Sequence, residues 1–273
     1  MATQNIFTAR VEPLYRDPPS IQLNSPSTTP GYPNDPTSTG TSANFTVSFI
    51  SGGNQSLLYP PGTEVALEKF WFVNSVFNIS PSLNNNYIGY AISGGASTIF
   101  EIPAGNYGVA EINNFLQTAI TENGDIGSNI SLVVDLIQIK TYLTLADGYE
   151  LDLTQGTLWQ QLGATSAAIY SSSGYFPNYV NMFPTTALNV SIPNLIPSYS
   201  SMINGSPTAT IYTAPIAVDP GFEQTETPPR LKWFPLSNLN IKNINVQIMD
   251  QNNKQSDLNG QPCNIVLVFR CRK

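Results

Sequence analysis

Apolar residues recur at every second position through much of this chain. In NFTVSFI, residues 44–50, Phe45, Val47 and Phe49 fall on one face and Thr46 and Ser48 on the other, the alternation of a half-buried β-strand. The same pattern predicts a long strand in EVALEKFWFVNSVFNIS (64–80), another in NYIGYAIS (86–93), and a third in STIFEI that Pro103 ends. The period then changes. Val109, Ile112, Phe115, Leu116, Ala119 and Ile120 stand at helical intervals, and Gly124 supplies a left-handed stop. ISLVVDLIQIKTYLTL (130–145) and YELDL (149–153) return to strand grammar, with Asp147-Gly148 as the turn between them. Leu158, Leu162 and Gly163 predict one further helical turn. Residues 165–230, rich in Ser, Tyr, Pro and Asn, read mostly as long loops with short strands at LNVSI (188–192) and TATIY (208–212). In LNIKNINVQI (239–248), Leu239 and Ile241 are out of phase with Ile244, Val246 and Ile248, which predicts a bulge near Lys242 and Asn243. Finally, VQIMDQNNKQSDLNGQPCNIVLVFR (246–270) reads as two strands facing each other across a long polar turn.

Many short strands, one clear helix and no βαβ rhythm predict an all-β fold: a single jelly-roll β-sandwich or barrel with one or two short helices. Residues 1–40 stand apart. Pro13, Pro18, Pro19, Pro26, Pro30, Pro33 and Pro36 interrupt them, so no regular element is expected there. The segment is either a disordered leader or an extended arm that orders against a neighbour, and Ile6, Phe7, Val11, Leu14, Tyr15 and Ile21 give the arm something to dock. The expected organisation is thus a Pro-rich extended or disordered N-terminal arm over 1–40 and one jelly-roll domain over 41–273 with long loops at 165–230.

Composition narrows the functions. Only 11% of residues are charged, against about 25% in an average globular protein, and polarity comes instead from Asn, Ser, Thr and Gln. Such a surface suits a subunit that other subunits cover. The formal net charge of −7 argues against broad neutralisation of nucleic-acid phosphates. Arg230 and Lys232 cluster before one strand and Arg270, Arg272 and Lys273 end the last; they read as solubilising charges at strand ends, with a local polyanion contact left open. There is no histidine, which removes Ser-His-Asp and Cys-His catalysis and the usual His-containing zinc sites. No phosphate-cradling glycine motif is present either.

Cys263 and Cys271 on one continuous strand would lie roughly 26 Å apart at ~3.3 Å per residue, beyond disulfide reach. MATQNIFTAR has no basic stretch leading into an apolar run, and FWFV and IVLVF are too short to span a bilayer, so a soluble protein made in a reducing compartment is expected. On that expectation the sequons at Asn44, Asn78, Asn129 and Asn189 are plain composition.

Three constellations are candidate sites. Glu150 and Asp152 share a strand face about 6–7 Å apart, a spacing available to a glycosidase carboxylate pair, but alternation with Tyr149, Leu151 and Leu153 also makes them an outward polar face. Asp250 and Asn252 open DQNNKQSD like a calcium loop, yet Lys254, Gln255 and Gln261 stand where ligands and the turn glycine belong. Trp71, Trp159 and Trp233 could line a sugar-binding face, though apolar flanks favour core or interface roles. No catalytic, cofactor-binding or metal-ligating residue is assigned, and the protein is not read as an enzyme.

The order of motifs resembles the penton, or minor capsid, proteins of polinton and Maverick-type elements, virophages and related double-stranded DNA viruses. The matching features are Ile102, Pro103, Gly105 and Tyr107 leading into the helix; Leu158, Leu162 and Gly163; and Ile248, Asp250, Asp257 and Gly260 followed by Ile265, Leu267 and Phe269. They cover roughly 97–163 and 230–270. The resemblance implies a single jelly roll that assembles as a homopentamer at the vertex of an icosahedral virion. Its neighbours would be a major, double jelly-roll capsid protein and other minor capsid proteins. It implies no cofactor, no membrane span and no specific nucleic acid, with only a lesser prospect of packaged DNA at the C-terminus. The rival reading is a receptor- or carbohydrate-binding β-sandwich such as a fibre head; a glycan-cleaving jelly roll ranks third.

Overall fold

The computed structural model describes residues 20–25, 38–48, 56–203 and 206–271. The chain divides into two compact units, Met1–Val76 with Thr185–Lys273, and Phe77–Pro184. Where the sequence predicted one domain over 41–273, residues 77–184 form a second unit with a hydrophobic core of their own.

The first unit contains eight principal strands: β1 (Ser20–Asn24), β2 (Asn44–Ser48), β3 (Thr63–Val73), β4 (Ala187–Ser191), β5 (Thr210–Pro215), β6 (Glu223–Glu226), β7 (Asn243–Asp250) and β8 (Cys263–Cys271). One sheet has the order β1-β8-β3-β6, and the other has β2-β7-β4-β5 with the strand Ser38–Thr41 hairpinned onto β2. All of these pairings are antiparallel. The order 1-8-3-6 packed on 2-7-4-5 is two Greek keys, the jelly roll that the alternation predicted. Their inner faces share one core, in which Phe45, Phe70, Phe72 and Phe269 are fully buried. Phe70 and Phe72, two apart on β3, stack at 4.8 Å, while Phe269 stacks on Tyr59 at 4.7 Å.

Two expectations about the chain ends are corrected. The strands β7 and β8 do not face each other as a hairpin: β7 lies between β4 and β2, and β8 between β1 and β3 in the other sheet. Residues 251–262 carry the chain across, so Ile244, Val246 and Ile248 meet Ile265, Leu267 and Phe269 through the core rather than edge to edge. The arm also contains regular structure. Ser20–Asn24 lies between Pro19 and Pro26 without a proline of its own, and it pairs with β8 from Ser20 opposite Val268 to Asn24 opposite Asn264. It occupies a sheet edge, where flanking prolines are tolerated, and it buries Leu23 completely. Residues 1–19 and 26–37, Phe49, Arg272 and Lys273 lie outside the described residues.

Smaller differences have similar causes. The long strand of 64–80 stops at Val73, where the Asn74 side chain donates to the Val218 carbonyl at 2.8 Å. The phase change at Lys242 is real, but it separates two strands with different partners: Ile241 pairs with Leu57, and Ile244 with Val47. Residues 165–230 carry the two short strands expected there, as β4 and β5, with β6 in addition, and they span parts of both units.

The second unit holds a four-stranded sheet, ordered Ile169–Tyr170, Tyr149–Asp152, Tyr87–Ile92, Thr98–Glu101, and a three-stranded sheet, ordered Gly174–Tyr175, Lys140–Leu145, Ile130–Asp135. The predicted helix is α1, Val109–Glu122. Its stripe of Val109, Ile112, Leu116 and Ile120 is buried in a core with Ile130 and Leu132. Gly124, at φ +96°, and Asp125 return their N–H groups to Thr121 and Ile120, the hydrogen-bond pair that closes a helix through a left-handed glycine. A short helix α2, Leu158–Leu162, ends the same way at Gly163, φ +86°. Alanine for Ile265 or for Leu23 should each lower unfolding free energy by about 2–5 kcal/mol in chemical denaturation, since both truncations leave cavities in a closed core.

Candidate functional site

The aspartates that the sequence offered as chemistry prove to be turn devices. Asp152 is buried, and its Oδ1 accepts from the Thr154 N–H at 2.7 Å and the Thr154 hydroxyl at 2.6 Å. Burial acts to raise this carboxyl, but hydrogen bonds from Ser97 and Thr154 together outweigh it and hold the pKa below the usual range. A glycosidase acid needs the opposite shift, toward neutrality. Glu150, two residues before it on the strand, is half-buried opposite Ala91, so the two carboxylates do share one strand face.

In the loop after β7, Asp250 Oδ1 accepts from the N–H groups of Asn252 and Lys254, both at 2.8 Å, and Asp257 Oδ1 accepts from Asn259 N–H at 2.7 Å. Asn253 and Asn259 take positive φ of 65° and 49°, conformations that Asn tolerates in turns. The oxygens of a would-be calcium loop are thus turned onto their own backbone. Among the described residues, no group of three or more His, Cys, Asp or Glu could hold a metal ion.

Each tryptophan is half-buried and differently engaged. Trp71 Nε1 donates to Glu223 at 3.4 Å, Trp159 on α2 packs against the core of the second unit, and Trp233 lies under the Arg270 guanidinium at 4.1 Å. Arg270 also binds Glu64 through Nη2 at 2.7 Å and Nε at 2.8 Å. This arginine, offered by the sequence as a contact for DNA, is therefore already tied to a carboxylate and an aromatic face. Lys232 stands 4.9 Å from the Phe234 ring centroid, and Arg230 is exposed.

The motif residues resolve into framework. Ile102 is fully buried, and Gly105 exchanges both backbone hydrogen bonds with Ile79 at 3.0 and 3.1 Å. Beside them the Asn78 side chain accepts from Tyr107 N–H at 2.9 Å and donates to the carbonyls of Tyr107 and Met182 at 2.6 and 2.7 Å. Asn85 and Gln161 both donate to the Asn78 carbonyl, at 2.6 and 2.9 Å, and Asn85 also donates to Gln161. This buried amide cluster joins residues near the two ends of the 77–184 unit, Asn78 and Met182, and nothing in the local pattern of the sequence announced it.

Sequence reasoning also missed an open cleft of about 520 Å³ in the jelly-roll unit, lined by Asn194, Asn238, Asn240, Ile241, Lys242 and Asn243. Asn194 bridges its wall, donating to Asn243 Oδ1 at 2.9 Å and accepting from Asn245 N–H at 2.9 Å. The density of Asn around Lys242 was the available signal.

Charge is unevenly shared. Residues 77–184 contain Glu101, Glu111, Glu122, Asp125, Asp135, Asp147, Glu150 and Asp152 against the single cation Lys140, and eight minus one leaves −7. That equals the net charge of the whole chain, so the jelly-roll unit is neutral overall.

No protein-family model matches this chain, and no curated protein does. Among solved structures it is similar to the mavirus penton protein, with 10% identity and a TM-score of 0.46 over 93% of this chain and 100% of that one. It is also similar to a chain of the Sputnik virophage structure determined by cryo-EM, with 12% identity and a TM-score of 0.40 over 94% of this chain and 98% of that one.

No disulfide joins Cys263 to Cys271, as their spacing predicted. Burial pushes Cys263 up to about 12, whereas Cys271 is exposed. Titration with a thiol reagent should therefore modify Cys271 alone in the native protein and Cys263 only after unfolding. Asp152 supplies a pH test. A depressed native pKa stabilises the fold above the unfolded carboxyl's value of about 3.9 and loses that contribution as pH falls through the native value. Asp152→Ala should thus melt lower than the parent at neutral pH, and the gap should narrow in acid.

Proposed function

We propose that this chain is a non-enzymatic structural protein of a viral capsid, forming the pentameric vertex of an icosahedral shell. The observation that carries the reading is the complete eight-strand jelly roll closed by the chain's last strand. Fold alone does not assign function; the ordered motifs of 97–163 and 230–270, which resemble penton proteins, supply the rest.

Two features support it. In a closed ring each contact is heterologous, one flank of a subunit meeting the other flank of the next. A jelly-roll unit with balanced charge can be packed against copies of itself without net repulsion. Asp152, weighed as catalytic, and Asp250 and Asp257, weighed as a calcium loop, are committed to turns, which suits them to holding shape. Outside the ring, the partners would be a double jelly-roll major capsid protein and other minor capsid proteins, with the virion as the protein's location. Residues 1–19, leading into the edge strand β1, are the candidate tie to a neighbouring capsid subunit. Packaged DNA is a poor match for Arg270, which would first have to leave Glu64 and Trp233.

A second reading draws on one feature. The asparagine-lined cleft around Lys242 offers amides and an ammonium group of the kind that binds glycan hydroxyls and carboxylates, as a receptor-binding fibre head would.

Light scattering of the purified chain with negative-stain class averages decides between them. Fivefold rings are the expected result, and a stable trimer would overturn the vertex reading in favour of the fibre head. Removing residues 2–17 should leave rings and melting temperature unchanged while lowering incorporation into shells. A truncation extending through Asn24 would also delete β1 and should lower the melting temperature as well.

A further inference from the structure

The stretch Ile130–Leu145, which the sequence suggested as uninterrupted strand, is a hairpin whose turn is made of Leu136, Ile137, Gln138 and Ile139. Hairpin turns normally carry Gly, Asn or Asp. This one exposes Leu136 by 85%, Ile137 by 95% and Ile139 by 55%. Ile139 adopts φ 55°, a left-handed conformation that a β-branched residue enters only under strain.

The turn is also built. Asp135 Oδ1 accepts from the N–H groups of Ile137 at 2.9 Å and Gln138 at 3.1 Å, and its Oδ2 accepts from the Tyr175 hydroxyl at 2.8 Å. The Ile139 carbonyl accepts from Val180 N–H at 3.0 Å. Behind the tip, Val133, Tyr142 and Tyr175 form a cross-strand row of exposed side chains, with Tyr142 and Tyr175 edge to face at 4.7 Å. That row sits two residues back from the last ladder pair, Asp135 with Lys140, or about 7 Å at the rise of an antiparallel strand. The exposed aliphatics and the tyrosine row lie on either side of the Asp135–Lys140 pair on one hairpin, and exposed apolar groups gathered in this way mark a contact surface rather than scattered surface apolarity.

We propose that this tip inserts into a lipid bilayer whose headgroups carry no net charge, with Leu136, Ile137 and Ile139 entering the acyl boundary and Tyr142 and Tyr175 lying at headgroup depth. Three observations select lipid as the occupant. The Asp135 carboxylate already satisfies the N–H groups of Ile137 and Gln138, which an apolar phase requires of inserted backbone. A tyrosine band behind an aliphatic tip matches the polarity gradient of a bilayer surface. The unit bears −7 with Lys140 as its one cation, so anionic lipid and the same unit of a second copy are both repelled, whereas a zwitterionic surface is not. The proposal does not depend on the vertex reading.

Flotation of the full-length chain with phosphatidylcholine vesicles tests it, beside vesicles containing added phosphatidylserine. The parent should float with phosphatidylcholine, and phosphatidylserine should reduce binding. The double variant Leu136→Asp/Ile137→Asp, altered only at exposed positions and so expected to melt with the parent, should lose about tenfold or more of the bound fraction. The milder Ile137→Ser should show a smaller loss in the same direction. The proposal is overturned by a parent that stays with the unbound fraction, by a double variant that floats equally well, or by binding that strengthens with phosphatidylserine. It is equally overturned if the double variant changes self-association without lipid while vesicle binding stays at the parent's level.

Discussion

The jelly roll depends on the insertion of β8 between β1 and β3. That one strand is paired along both edges, to Ser20–Asn24 on one side and Thr63–Phe72 on the other, while Ile265, Leu267 and Phe269 face the core. It gathers segments from opposite ends of the chain. Until it is placed, β1 has no partner, β3 has one bare edge, and the inner face of the β2-β7-β4-β5 sheet lacks much of the surface that covers it. Contacts this distant in sequence must overcome loop-closure entropy before they stabilise anything, so the sheet forms as a unit or not at all. β1 takes the edge position of that sheet, paired with β8 alone.

Between β3 and β4 the chain leaves the jelly roll for 108 residues, the span Phe77–Pro184, and returns. The buried amides of Asn78, Asn85 and Gln161 keep that excursion self-contained, because Asn78, near its start, bonds to Met182, near its end. Closing a loop at its base makes its length nearly irrelevant to the host fold. The second unit is therefore able to differ in surface from the first, and it does: all of the chain's net charge and its hairpin of exposed aliphatics lie within it, while the jelly-roll unit is balanced.

Four aspartates illustrate how a chain poor in charge uses the charge it has. Asp135, Asp152, Asp250 and Asp257 each accept a hydrogen bond from the N–H two residues ahead, in Ile137, Thr154, Asn252 and Asn259. A carboxylate folded back on its own backbone in this way replaces the glycine or proline that another turn would need. Spacing suggested a carboxylate pair and a calcium loop for three of these residues, and the geometry shows that turn formation consumes the same oxygens. The fourth, Asp135, lies where the sequence offered no turn at all.

The sequence by itself determined what depends on neighbours along the chain. Val109 to Ile120 specify a helical stripe and Gly124 its stop; Phe45 and Val47, or Ile244 to Ile248, specify which side of a strand faces the core. It also carried the strand richness that makes the fold all-β. It could not specify partners, because period-two alternation reports the environment of a face and not the identity of the strand alongside. Hence β7 and β8 looked like a hairpin, 77–184 looked like part of one domain, and SIQLN was hidden among prolines. Even the turn at Leu136–Ile139 was visible only as a slip of phase, with Ile130, Leu132 and Val134 on even positions and Thr141, Leu143 and Leu145 on odd ones. The tertiary structure decided those matters, since strand pairing and the use of a carboxylate depend on groups that arrive from far along the chain.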